Sequence, residues 1–314
     1  METIALGVSG LQASRLAYGC WRLAGTTNPA EVTPERRAAG RRALLAALEA
    51  GYTLFDTADV YARGEVERIM GDAFKDISGL RERMVLVTKC GVRPVDTPVP
   101  GAPHRWDFSG DYIVSACEGS LRRMGIETVD VLLLHRPDYL ADPDEVAAAF
   151  SRLKQAGKVR HFGVSNFRPS LVSAIQAACP MPLVVHQLEA SLAKLDALTD
   201  GTLDQCLEMK MRPMAWSPLA AGLIGDGAKR LLPLQQQYKP ELFLPTLETI
   251  ARARGTSRTV VALAWLMKHP AGIIPIVGST NEGRIREATQ ALKVELTRDE
   301  WYLLLKAAIG QPLP

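Results

Sequence analysis

The chain has 314 residues, of which 47 % are hydrophobic and 23 % are charged, and its formal net charge at pH 7 is +3. These proportions are ordinary for a globular protein that buries a large core. The small, dispersed charge argues against a nucleic-acid partner, which needs a clustered basic surface. The longest apolar segments, such as TVVALAWLM (259–267), are too short to span a bilayer, so we expect no membrane partner.

Cysteine usage and the N-terminus predict a cytoplasmic protein. The five cysteines include no CxxC pair and are odd in number, a pattern typical of reduced thiols. The first ten residues, METIALGVSG, lack the basic region and long apolar core of a signal peptide. No heptad or long apolar patch marks an interface, so we expect a monomer.

Short apolar runs alternate with helical patterns along the whole chain. Several runs are apolar on both faces and rich in β-branched residues, as in a parallel sheet that is buried on both sides. The eight predicted strands are RLAYGCW (15–21), TLFDT (53–57), MVLVTK (84–89), VDVLLLH (129–135), VRHFGVS (159–165), PLVVHQL (182–188), RPMAWS (212–217) and GIIPIVG (272–278).

The predicted helices have recognisable ends. The first begins with Thr33 as N-cap and Pro34 in its first turn, and it ends at Gly51. The last begins at Thr297, where acidic residues follow and favour a helix N-terminus. The helices after the first are predicted over about 64–76, 110–124, 143–156, 169–178, 200–209, 244–254, 257–268, 281–291 and 297–309.

Eight strands with intervening helices predict a single-domain (β/α)8 barrel over residues 1–314. An open doubly wound sheet is the alternative, but the stretch LAYGCWRLAGTT (16–27) lacks its GxGxxG turn. Two segments, 90–110 and 218–245, are too long for plain connections. Both follow predicted strands, so in a barrel they overhang the active face.

Polar residues stand directly after most of the predicted strands. The carboxyl ends of all eight strands meet at one face of such a barrel, and that face carries the active site. The predicted strand-end residues are Asp56, Lys89, His135, VSN (164–166), Gln187, WSP (216–218) and GST (278–280).

Three of these strand-end residues, together with Tyr61, suit the reduction of a carbonyl. A phenol such as Tyr61 has a pKa near 10, and a nearby ammonium such as Lys89 favours the phenolate and lowers that pKa. Asp56 would orient the lysine, and His135 would hydrogen-bond a substrate oxygen, so that together they stabilise a developing oxyanion. No protein side chain supplies a hydride, which implies a nicotinamide cofactor.

The ordered set of segments GYTLFDTADVY, VLVTKCG, SLRRMGIETVDVLLLHRPD, GKVRHFGVSNF, AWSPLAAGLIG and IPIVGSTNEGRIREA resembles the aldo-keto reductase superfamily. The resemblance covers about residues 15 to 290 and is nearest to bacterial general oxidoreductases that use NADP. It implies that Tyr61 is the general acid and Lys89 its pKa partner. It also implies that Asp56 holds the lysine and that His135 orients the substrate.

The resemblance also implies a set of cofactor-binding residues. Ser165, Asn166 and Gln187 would bind the nicotinamide carboxamide, and Trp216 would stack on its ring. The pyrophosphate would lie along Ser217, Leu219 and Gly222, and the adenosine phosphate along Gly278, Ser279, Thr280 and Arg284, with Glu287 at the adenine. The remaining predicted contacts are Gly19, Cys20, Trp21, Pro218 and Ala220. The Arg284 fork favours NADP(H) over NAD(H), since it suits a 2′-phosphate.

The sequence departs from the family pattern in two places. Ala288 stands where the family usually has asparagine near the adenine, so one contact is lost and cofactor affinity is lower. The chain also ends soon after its last predicted helix, so we expect an open pocket for a small carbonyl substrate. Its walls would be the two long segments, with Trp21 and Trp106 as the pocket residues.

Several alternatives remain open. Taken singly, Asp56 suits a helix cap, Tyr61 a packed ring, Lys89 a surface lysine and His135 a core histidine. His161 and His186 raise the possibility of a metal-dependent barrel hydrolase, but no acidic cluster accompanies them, and we expect no metal. The remaining alternative is a non-catalytic nicotinamide-binding module that acts as a redox sensor and docks on a partner.

Overall fold

The computed structural model describes residues 1–225 and 236–313. Part of the predicted loop segment 218–245 therefore lies outside the described residues. Eight parallel strands form a closed barrel in chain order, in which the last strand pairs with the first. They are β1 Ala17–Gly19, β2 Leu54–Asp56, β3 Val85–Cys90, β4 Val129–Leu134, β5 Val159–Ser165, β6 Leu183–Glu189, β7 Arg212–Trp216 and β8 Ile274–Val277.

Helices connect the strands around the outside of this barrel, which confirms the predicted (β/α)8 fold. Among the described residues, two α-helices follow β7 and two more follow β8. The helices are α1 Pro34–Glu49, α2 Glu65–Asp76, α3 Gly110–Met124, α4 Pro143–Gln155, α5 Pro169–Ala178, α6 Thr202–Glu208, α7 Pro240–Ala253, α8 Arg258–Met267, α9 Glu282–Ala288 and α10 Arg298–Ile309. None of the helices within the described ranges is long and apolar enough to cross a membrane.

The predicted helix starts at Thr33 and Thr297 are confirmed. The Thr33 hydroxyl accepts from the backbone N–H of Arg36 at 3.4 Å. Thr297 forms a full capping box, in which its hydroxyl accepts from Glu300 N and the Glu300 carboxylate accepts from Thr297 N. These contacts satisfy N–H groups that the first turn of a helix leaves without partners.

Two layers of apolar side chains fill the protein. The layer inside the barrel comes from alternate residues of the strands, such as Leu54, Val131 and Met214. The other layer lies between strands and helices. An antiparallel hairpin of Thr3–Ala5 and Gln12–Ser14 covers the end of the barrel at which the strands begin. The side chain of Leu6, in the turn of this hairpin, packs into the inner layer. The carboxyl ends of the strands form the opposite face of the barrel.

The structure corrects several predicted boundaries. Strand β1 ends at Gly19 because Cys20–Arg22 turn into a 3-10 helix. Helix α7 begins at Pro240 rather than near 244, since proline is well suited to a first helical position. The helix predicted over 281–291 ends at Ala288 and continues as a 3-10 helix. The N-terminal hairpin was not predicted, because its strands are short and the first, Thr3–Ala5, is only partly buried.

Gly163 in β5 provides a test of barrel packing. A Cβ at this position would overlap the Val185 carbonyl oxygen of β6 and lie 2.7 Å from a Leu133 methyl group of β4. We expect Gly163→Ala to destabilise the protein by about 1–3 kcal/mol, the usual cost of overpacking. Urea unfolding measures the change. Gly283→Ala, at an exposed position of α9, is the control and should change stability by less than about 1 kcal/mol.

Candidate active site

The turn after β2 places a carboxylate and a phenol near each other. Asp56 is the last residue of β2, and the chain reaches Tyr61 at the start of a short 3-10 turn. The next two residues, Ala62 and Arg63, have φ values of 45° and 51°, in the left-handed region that non-glycine residues rarely adopt. Such strained backbone is maintained only where the surrounding structure enforces it, and it often occurs at functional sites.

Lys89 joins the two groups from the neighbouring strand β3. Its side chain is fully buried. The ammonium donates to the Asp56 carboxylate at 2.9 Å, to the Thr57 carbonyl at 2.8 Å and to the Tyr61 hydroxyl at 3.0 Å. These three acceptors use all three N–H donors of a lysine. Lys89 is therefore a buried, fully hydrogen-bonded cation in contact with a phenol.

Burial and charge compete in setting the pKa values of this pair. Burial acts to lower the pKa of Lys89, but Asp56 and Tyr61 outweigh it, so the pKa is raised and the ammonium stays charged. Burial also raises the pKa of Tyr61, and Lys89 opposes this shift only in part. The predicted lowering of the Tyr61 pKa is therefore wrong, because the prediction included the charge of Lys89 but not the burial of the phenol. Tyr61 is therefore protonated at neutral pH and has a proton to give.

His135 lies directly after β4 and faces the phenol. Its ring and that of Tyr61 are 5.9 Å apart in an edge-to-face arrangement. Burial, followed by the charges of Lys89 and Arg136, holds the pKa of His135 well below its usual value. The Nδ1 atom is buried and has no hydrogen-bond partner within the described ranges. A neutral imidazole in this place suits a hydrogen bond to a substrate oxygen rather than proton donation.

Amide side chains connect these groups to the opposite wall of the barrel. Asn166, which has a φ of 64°, donates to Ser165 Oγ at 2.7 Å and to the His135 carbonyl at 3.3 Å. Its Oδ1 accepts from Trp216 Nε1 at 2.8 Å. Gln187 Nε2 donates to Asp56 Oδ1 at 2.7 Å. The structure thus brings the residues predicted for the nicotinamide into one network with Asp56 and His135.

The ends of β7, β8 and β1 bring together further predicted cofactor residues. Ser217 and Ala220 both have a φ of 49°, and Gly222 has a φ of 102°, so the chain turns tightly after β7. At β1, a Cβ on Gly19 would lie 2.8 Å from an Ile276 methyl group and 3.7 Å from Gly278 Cα. Glycine therefore lets the two strand ends approach closely at this edge.

Two hydrogen bonds fix the loop between β8 and α9. The Tyr18 hydroxyl donates to the Ser279 carbonyl at 3.0 Å, and Asn281 caps α9 by accepting from Arg284 N at 3.0 Å. The Thr280 and Arg284 side chains are left exposed, and Glu287 is half-buried. Ala288 is buried and packs into the core. Cys20, Pro218 and Ala220 are also buried, and their predicted cofactor contacts stay predictions.

The two predicted pocket tryptophans lie on different loops. Trp21 belongs to the turn after β1, is 49 % exposed and has the Arg22 guanidinium over its ring. Trp106 belongs to a small hairpin of Val92–Arg93 and Arg105–Trp106 within the 90–110 segment. Its ring packs against Tyr139, which follows β4, at 5.9 Å. The structure thus joins Trp106 to the loop of His135, and it shows no such link for Trp21 in the part that it describes.

A buried ion pair on the outer side of β3 was not predicted from the sequence. Glu67 of α2 is fully buried and accepts from Thr88 Oγ1 at 2.8 Å and from Arg123 Nε at 2.7 Å. Because Thr88 precedes Lys89, this pair fixes the strand from its outer side. A signal was available, since Glu67 interrupts the apolar face that Val66 and Met70 form on α2. Arg136, at the mouth of the site, was also missed.

The histidines considered for a metal have other surroundings. His186 is buried, and its Nε2 accepts from the backbone N–H of Phe167 at 3.3 Å. His161 lies in the middle of β5. Across residues 1–225 and 236–313, no group of three or more His, Cys, Asp or Glu side chains is arranged to hold a metal ion.

Comparison with known proteins gives a consistent result. The sequence model of the aldo/keto reductase family matches residues 15–308. A 6-dehydroglucose reductase of Novosphingobium aromaticivorans is 39 % identical over 98 % of this chain and 96 % of its own length. Another of the same name, from Agrobacterium fabrum, is 39 % identical over 99 % of both chains. The solved structure of the glycerol dehydrogenase of Gluconobacter oxydans superposes with a TM-score of 0.85 at 26 % identity, over 99 % of this chain and 97 % of its own.

These proteins are oxidoreductases, and they support carbonyl reduction as the general reaction. The matched region includes every strand of the barrel and the whole polar face at its carboxyl end. The likeness thus covers the architecture and the range in which the predicted site residues lie. The chain belongs to the aldo/keto reductase family.

Proposed function

We propose that this protein reduces an aldehyde or ketone to the alcohol with NADPH, and that Tyr61 is the proton donor. The same groups serve the reverse oxidation. The observation that carries the proposal is the 3.0 Å hydrogen bond between the fully buried Lys89 Nζ and Tyr61 Oη. There the protonated phenol gives its proton to the oxygen of the reduced carbonyl, and the adjacent ammonium stabilises the phenolate that remains.

The residues at the strand ends fit a nicotinamide dinucleotide. The amides of Asn166 and Gln187 supply donors and acceptors for a carboxamide, and the half-buried Trp216 supplies a flat apolar face. Beyond the end of β8, the exposed Arg284 and Thr280 offer donors to phosphate. The cofactor, when bound, supplies the hydride. The protein residues orient the carbonyl and deliver the proton.

The names of two relatives indicate which substrates to assay first. Both are 6-dehydroglucose reductases, so a hydroxylated aldehyde is the starting point. We further propose a cytoplasmic monomer that acts on a small molecule and has no nucleic-acid or membrane partner. Its five cysteines are free and buried, as suits a reducing compartment.

The proposal is tested by titrating the protein with NADPH and NADH while following tryptophan fluorescence, and then by a panel of carbonyls. We expect saturable quenching, tighter with NADPH, and turnover of at least one aldehyde. Binding without turnover of any carbonyl would favour the redox-sensor alternative. No binding to either cofactor, confirmed by calorimetry, would exclude the proposal.

Arg284 is expected to select NADPH over NADH. Its exposed guanidinium suits the 2′-phosphate that only NADPH carries, and such charge-assisted hydrogen bonds contribute about 1.5–3 kcal/mol. Arg284→Ala should therefore weaken NADPH binding about 10- to 100-fold and change NADH binding little. Isothermal titration measures both affinities. Arg286→Ala is the matched control on the same helix, since Arg286 pairs with Glu49 and Glu282 instead. An equal loss for both cofactors would remove Arg284 from the phosphate.

A further inference from the structure

Arg136 at the mouth of the site has hydrogen-bonding capacity that no residue in 1–225 or 236–313 uses. It follows His135 and lies over the Trp216 ring, with 5.3 Å between the guanidinium carbon and the ring centroid. The residue is half-buried. Within the described ranges, its guanidinium makes no hydrogen bond and no ion pair with any other residue. A partly desolvated guanidinium without an acceptor is costly, and a ligand oxygen would relieve that cost.

A carboxylate lies opposite the same tryptophan on the neighbouring strand. Glu189 stands opposite Trp216 in the pairing of β6 with β7. It is two residues beyond Gln187, so both side chains leave the same face of β6 and Glu189 is nearer the mouth. One of its oxygens accepts from the Tyr238 hydroxyl at 2.6 Å. Burial lowers the pKa of Arg136, and the Glu189 carboxylate opposes that shift. The guanidinium over Trp216 and the carboxylate opposite Trp216 thus lie at the same end of the β6–β7 strand pair.

The chemistry of this pair favours a particular kind of substrate. A guanidinium only donates hydrogen bonds, and a carboxylate only accepts them. A substrate with neighbouring hydroxyl groups satisfies both, because one oxygen accepts from the guanidinium while another hydroxyl donates to the carboxylate. An acidic substrate would be repelled by Glu189, and an alkyl substrate would leave Arg136 without an acceptor.

We propose that Arg136 and Glu189 select hydroxylated aldehydes by binding the hydroxyl groups adjacent to the reacting carbonyl. This inference rests on the proposed function, and it assigns that function a substrate class and two specificity residues. Neither residue takes part in hydride or proton transfer. Their contribution is to hold the hydroxylated end of the substrate while Tyr61 and His135 meet the carbonyl oxygen.

The test compares two aldehydes of equal carbon number, D-glyceraldehyde and propanal, in the wild type and in Arg136→Leu. Hydrogen bonds to charged groups of this kind correspond to about 10- to 100-fold in binding. We expect kcat/KM for glyceraldehyde to fall by about that factor and kcat/KM for propanal to change less than about threefold. Arg136→Lys keeps the charge but loses the planar fork, so its loss should be intermediate. Glu189→Gln should likewise lower kcat/KM for glyceraldehyde more than kcat/KM for propanal.

Each outcome decides the assignment. An equal loss for both aldehydes would mean that Arg136 only supports Trp216 or His135, and it would overturn the proposal. A larger loss with succinic semialdehyde than with glyceraldehyde would make the site one for acids and would also overturn it. Wild-type turnover of propanal tests the proposed function separately. If no aldehyde reacts, saturation-transfer NMR of sorbitol in the presence of NADP+ still decides, since the wild type should bind the polyol and Arg136→Leu should not.

Discussion

Replacing Tyr61 by phenylalanine is expected to lower kcat for carbonyl reduction about 10²- to 10⁴-fold, the range that a positioned general acid contributes. The substitution removes only the hydroxyl that accepts from Lys89, so cofactor affinity should stay within about threefold of the wild type. Stopped-flow measurement of hydride transfer and fluorescence titration give the two quantities. A variant that retains more than about a tenth of the activity would show that Tyr61 is not the proton donor.

The control for this substitution is Tyr52→Phe. Tyr52 is fully buried, and its hydroxyl donates to the Ile285 carbonyl at 3.1 Å rather than to the tetrad of Asp56, Tyr61, Lys89 and His135. Its loss should cost stability without changing kcat. The pH profile offers a second check, since burial, opposed by Lys89, leaves the pKa of Tyr61 above its ordinary 10.0. Reduction that needs the protonated phenol should therefore not decline because of Tyr61 below about pH 10.

Asp56→Asn is expected to destabilise the protein by about 3–5 kcal/mol, because it leaves the charge of Lys89 buried without a counter-charge. The ammonium is fully buried, and Asp56 is the partner that most strongly opposes the effect of burial on its pKa. Chemical unfolding at pH 7 measures the loss. The double variant Asp56→Asn/Lys89→Met should recover part of it, since it removes the unpaired charge as well.

The stability of the single variant Asp56→Asn should change with pH in the opposite direction to that of the wild type. In the wild type the pKa of Lys89 is raised above 10.5, so the stability from the pair is complete below pH 10.5 and is lost as the pH rises through the raised pKa. Without Asp56, burial lowers the pKa of Lys89, and the unfolded chain then holds a proton that the folded chain does not. Stability of the variant should therefore increase with pH up to about 10.5. A flat profile would show that water or Gln187 compensates for the lost carboxylate.

The barrel and its polar face could be predicted because they depend on local patterns. Strands β3 to β7 have apolar runs of five to seven residues with polar residues at their ends, and this pattern is specific to buried parallel strands. The two-residue strands of the hairpin that presents Trp106 leave no periodicity to read. Their existence depends on pairing between distant residues, which an unaligned sequence does not display.

The amino-acid sequence by itself determined the family and the fold, and it indicated Asp56, Tyr61, Lys89 and His135 as the residues of the proposed site, because each of these depends on residue type and order along the chain. Only the tertiary structure decided the balance of forces at the site. Desolvation outweighs the lysine at Tyr61, and Arg136 lies over Trp216, which is distant in sequence. Burial and charge proximity are properties of the folded arrangement, since they depend on which side chains exclude water from a group and which charges lie beside it.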